Sequence, residues 1–168
     1  MNKFLYQLDS DFKAYLVLFL TVLTAGVLVG LIYLNFTTDM TPSGTTERWN
    51  GSTSDTEMDF EITENYPKSI SEMLATTHTH IISFALIFGI VGFIFNYNSI
   101  VKGHWKKFLM LEPIISILVT FSSIWLMRFV HQSFVYLVII SAVLMYSSYF
   151  IVVGISLYEL LFKRVDSG

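Results

Sequence analysis

Three histidines of this chain are spaced so that they suit ligand chemistry. His78 and His80 flank Thr79 just ahead of a long apolar run, and His131 stands where two later apolar runs meet. Imidazole is the commonest metal ligand and titrates near neutral pH. In a regular helix, side chains two residues apart point about 200° away from each other, so His78 and His80 cannot grip one ion there. In extended chain they share a side. A haem asks for one or two axial ligands, which His78 or His80 together with His131 supply, and Arg128 is placed to meet a propionate. A b-type haem or a metal near one membrane surface is therefore one cofactor reading. Plain hydrogen bonding to backbone or lipid headgroups is the other. Trp125, three residues before Arg128, suits stacking on its guanidinium. The fourth histidine, in His104-Trp105-Lys106-Lys107, reads as part of a basic-aromatic belt at the opposite surface.

Glu112 is the acid that the sequence places inside an apolar run, directly before Pro113. An intramembrane carboxylate is a functional candidate by default. Proline also favours the first turn of a helix, where an acid suits the dipole. If the helix starts at Pro113, Glu112 is only its flank. Ser116, Thr120 and Ser123 follow at steps of four, four and three, which keeps all four residues on one helical side. Such a stripe serves a proton-linked transport path or ordinary interhelical hydrogen bonding. Ser141 and Ser148 share a face in the last run. Glu159 and Lys163 form a helical i,i+4 pair.

The elements that must position these residues are apolar helices. Hydrophobic residues make up 54% of 168, and charged residues only 14%. Soluble domains carry about 25% charge, so this composition points to a membrane protein. A net charge of -3 offers no basic footprint for nucleic acid. Cysteine is absent, which excludes disulfides, thiolate metal sites, iron–sulfur clusters, c-type haem attachment and a cysteine nucleophile. No nucleotide loop, nucleophile elbow, zinc-protease helix or calcium loop is written in the chain, so the expectation leans away from an enzyme.

About 20 apolar residues cross the hydrocarbon core. Four runs qualify, at about 14–36, 81–97, 108–129 and 133–157, within one membrane domain over 1–168. The expected fold class is all-α, an integral-membrane four-helix bundle. The first run is too long for a signal-peptide core and reads as a retained anchor. A segment at about 37–77 forms an extracytoplasmic loop rich in acids, among them Asp55, Glu57, Asp59, Glu61 and Glu64. Its first part is full of turn residues and hydroxyls, a composition that cannot bury a core of its own. Tyr66-Pro67 then stops the loop, and Ser69 with Glu72 spells a capping box that starts the second spanning helix.

Lysine and arginine bias sets orientation. With the N-terminus inside, seven of them lie on inner segments (Lys3, Lys13, Lys102, Lys106, Lys107, Lys163, Arg164) against three outside (Arg48, Lys68, Arg128). Both termini are therefore expected in the cytoplasm, in a bacterial inner membrane.

Small residues mark packing faces. Gly26 and Gly30 form a GxxxG in the first span. Ala85, Gly89 and Gly92 mark the second, where His78 and Asn96 share their side, and His80, Phe84, Ile87 and Val91 read as the lipid side. Small faces let helices approach closely in lipid, where no hydrophobic effect drives them together. They serve packing within the chain or assembly with a membrane-protein partner or a second copy. The leading expectation is a non-catalytic accessory or assembly subunit of a larger membrane complex. The alternatives are a haem-bearing redox subunit and a small proton-linked transporter.

Overall fold

The computed structural model describes residues 4–52 and 66–164. The acids Asp55, Glu57, Asp59, Glu61 and Glu64 lie outside the described residues. Five α-helices follow one another: α1 Ser10–Thr38, α2 Pro42–Asn50, α3 Ile70–Asn96, α4 Gly103–Phe129 and α5 Val135–Phe162. Short 3-10 turns at Leu5–Gln7 and Gln132–Phe134 precede α1 and α5. No strand occurs among the described residues. The helices α1, α3, α4 and α5, the last with its 3-10 lead-in, are long and apolar enough to cross a membrane. The expected four-span helical bundle is the observed one. Each helix exceeds its apolar run by several residues, because the backbone hydrogen-bond ladder continues into polar flanks.

The caps follow local chemistry. Ser69 Oγ accepts the amide of Glu72, and the Glu72 carboxylate accepts the Ser69 amide at 2.8 Å. That reciprocal pair starts α3 where the sequence places it. The loop, too polar to bury a core of its own, carries the short helix α2. Thr41 Oγ1 accepts the Gly44 amide at 3.0 Å, and Pro42 fills the first turn. Asp39 and Met40 both adopt left-handed backbone, φ 48° and 50°, reversing the chain after α1. The reversal presses α2 so close that a Cβ on Gly44 would lie 2.2 Å from the Thr38 carbonyl oxygen. Only glycine fits there. The turn-rich composition concealed this helix because tertiary contact, not propensity, holds it.

Packing is uneven. α4 and α5 form the tightest pair, and α3 lies chiefly on α4. Half of the most apolar stretch of α4 is buried, against 17% for α1. Three residues of α1 are buried, Leu16, Leu20 and Thr38. The core runs through Phe88, Val91 and Phe95 of α3, Ile117 and Phe121 of α4, and Met145, Tyr149 and Val152 of α5.

The structure turns most of the small-residue face of α3 outward. Met73, Phe88, Val91 and Phe95 face inward and Gly92 is buried with them, while His78, Ala85, Gly89 and Asn96 are exposed. The rings explain it. Phe84 meets Phe121 and Tyr146, and Phe88 meets Tyr149 edge-on at 5.8 Å. Ring contacts of this kind add to the dispersion gained across the interface.

Candidate functional site

α4 begins at Gly103, whose φ of +64° suits glycine, and runs without a break past Pro113. Glu112 is thus not a helix flank. It lies nine residues inside, about 14 Å along the axis. Pro113 brings no N–H, so the Leu109 carbonyl one turn earlier has lost its usual donor.

Glu112 is 8% exposed. One carboxylate oxygen, Oε1, accepts the Ser116 hydroxyl. The other, Oε2, is buried with no hydrogen-bond partner. One turn further on, Thr120 Oγ1 lies 2.7 Å from Ser141 Oγ of α5. Ser141 Oγ also lies 2.7 Å from the Leu137 carbonyl, which can accept its proton. Ser123 is buried farther along the same side. The structure thus keeps Glu112, Ser116, Thr120 and Ser123 on the α5-facing side of α4, as their spacing predicts.

Beside Glu112 the two helices part. A groove of about 570 Å³ opens there, walled by Phe108, Leu111, Ile115, Leu137, Ile140 and Leu144. Glu112, Ser116 and Ser141 also line it, and His104 and Lys107 stand at its lysine-rich end.

His80 and His131 are used locally. His80 Nδ1 lies 2.9 Å from the Thr76 carbonyl, and its ring packs against Phe84 and Phe121. The residue as a whole stays exposed. His78 is exposed. His131 Nδ1 accepts the Ser133 amide and caps the 3-10 turn between α4 and α5. Among the described residues no three histidines or acids gather as a metal group. Trp125 stacks on Phe129 and donates to Thr77 Oγ1 at 3.0 Å, so it is not the partner of Arg128. The Arg128 guanidinium lies 5.7 Å from the Phe129 ring centre, with a buried, unpartnered Nε. Glu72 pairs with Lys68 at 3.5 Å.

Sequence reasoning missed Glu159. It is 0% exposed and is not the partner of Lys163. Its carboxylate accepts the Asn98 side chain at 2.6 Å, the Ser99 amide at 2.9 Å and the Ser99 hydroxyl at 2.7 Å. Lys163 donates to Ser99 Oγ instead. A signal existed, since Ser148, Val152, Ser156 and Glu159 follow at steps of four, four and three and extend the Ser141–Ser148 face. Gly26, Gly30, Gly89 and Gly92 meet no atom within 4 Å of a built Cβ, and Gly26 and Gly30 line a cleft of about 320 Å³ between α1, α3 and Tyr146 of α5.

Residues 39–167 match the family model Aq_1264_TM, a transmembrane helical domain. The match begins at Asp39, the residue that caps α1 at its C-terminus. No curated protein and no solved structure matches the chain.

Proposed function

The chain belongs to this family of transmembrane helical domains and is an integral membrane protein, and from that premise we propose that it serves, without catalysis, as an accessory subunit of a larger membrane assembly. One observation carries the reading. α1 is a full-length span that its own chain scarcely covers, and its closest-approach face, Gly26 and Gly30, stands open. In lipid nothing apolar is gained by hiding such a face, so its value lies in letting another backbone come near. The family match, starting where α1 ends, fits a unit of α2 to α5 to which α1 is joined as an arm. The lysine and arginine bias supports both termini lying in the cytoplasm, and the home proposed for the chain is a bacterial inner membrane.

The test is photo-crosslinking in native membranes with a photoreactive residue at Val29, which is exposed beside Gly30. The expected outcome is one adduct of defined protein mass. Gly26→Leu with Gly30→Leu should lower its yield about tenfold, on the order of 1–2 kcal/mol of helix association. Adducts to lipid alone would refute the reading.

A further inference from the structure

Two buried carboxylates show what is missing at one of them. Glu159 accepts from the Asn98 side chain and from both the amide and hydroxyl of Ser99. Glu112 has a single donor, Ser116, and its Oε2 has none. The neighbouring polar groups of the same interface are matched, Thr120 with Ser141 and Ser141 with a backbone carbonyl. Among the described side chains of this face, Glu112 Oε2 is the buried oxygen left without a partner. A buried acceptor without a donor is costly, and more so when it carries charge.

The groove beside it opens sideways, toward hydrocarbon in a membrane. Lipid chains carry no donor. The donor must arrive on something that lies along the groove at the depth of Glu112. The groove follows α4 from His104 to Val119, about 22 Å at 1.5 Å per residue, with a volume of about 570 Å³. That is long and narrow, the shape that receives one ridge of side chains from a packed helix. Its walls are aliphatic and aromatic, and its one charged group below the surface is an acid. At the lysine-rich end His104 and Lys107 face the same groove. They disfavour a cation there, which fixes the depth at which a basic residue can sit.

Resting on the accessory-subunit reading, we propose that the α4–α5 groove seats one transmembrane helix of the partner protein, and that a lysine or arginine of that helix pairs with Glu112 Oε2 inside the membrane. The pairing supplies donor and countercharge together. It selects a partner helix by the position of one basic residue.

The probe is a set of fluorescent single-span leucine-rich peptides, reconstituted in lipid vesicles with the labelled full chain and read by energy transfer. One peptide carries a central lysine, one leucine at that place, and one glutamate. The lysine peptide is expected to bind about tenfold more tightly than the leucine peptide, a difference of about 1.4 kcal/mol. The glutamate peptide should bind no better than leucine. The lysine advantage should vanish in Glu112→Gln, which keeps the shape and the Ser116 contact, and its thermal melting serves as the control for folding. Ile140→Trp, which fills the groove, should weaken the lysine peptide as well. Equal binding of all three peptides overturns the proposal, as does a lysine advantage that survives Glu112→Gln. A proton flux across the vesicles that Glu112→Gln abolishes, with no peptide preference, also overturns it and assigns the acid to proton movement. If the Val29 adduct forms while the peptides fail, the groove proposal falls and the accessory reading stands.

Discussion

Glu112 and Glu159 lie on facing helices, and both are hidden from solvent, yet they do opposite work. Glu159 is saturated by donors that the chain itself supplies at the lysine-rich end, joining the Asn98-Ser99 turn to α5. Removing it strands those donors. Glu159→Ala should therefore destabilise the protein by about 2 kcal/mol or more, seen as a lowered melting temperature in mild detergent, with Glu159→Gln intermediate. Glu112→Gln should leave the melting temperature close to that of the parent, since it deletes no donor's acceptor. Glu112 was legible in the sequence because an acid amid apolar residues is conspicuous. Glu159 was less so: its spacing from Ser148 and Ser156 put it on the polar face of the last run, but it stands near a charged end where acids are ordinary. What makes it special is a loop 60 residues away in sequence, and pairing at that range leaves no local trace. The histidines show the converse. Their types were conspicuous, but His80 and His131 are engaged with their own backbone neighbourhoods.

At the level of elements, the start of α3 was readable to the residue. A capping box is a local device, and local devices survive in the sequence. Ser69→Ala should cost about 1 kcal/mol at this end. Hydrogen exchange should quicken at Ile70 to Met73 while the Phe88–Phe95 stretch stays protected. Unchanged exchange at the first turn would show that packing of Met73 alone holds it. α2 was not readable. Its sequence lacks an apolar stripe, and it exists because Thr38, Gly44 and Thr41 let it fold back on the end of α1. The rotation of α3 was misread for a related reason. Periodicity tells which residues share a side, but both sides of a spanning helix are apolar, so the choice between them falls to the partner rings.

For the whole molecule, the number of spans followed from length and hydropathy, and their pairing did not. α4 and α5 are joined by a tight turn and pack closely, whereas α1 lies at the margin. Orientation is open to a clean experiment, because the chain has no cysteine. With both termini inside, a membrane-impermeant maleimide applied to intact cells stripped of their outer layers should label Ser43→Cys on α2. Lys102→Cys, between α3 and α4, should react only after permeabilisation. The reverse pattern would invert the topology. The lysine-rich end also gathers stretches made at different times. Leu5 donates its amide to the Tyr97 carbonyl, and the Lys163 ammonium lies 4.7 Å from the centre of the Tyr6 ring. A ribosome delivers Asn98 61 residues before the Glu159 that receives it. During synthesis the turn at Asn98 and Ser99 therefore waits, unfastened, until the last helix has threaded into the bilayer. The clasp can close only once α5 is in place, so bonds that steady the folded bundle form late in its assembly.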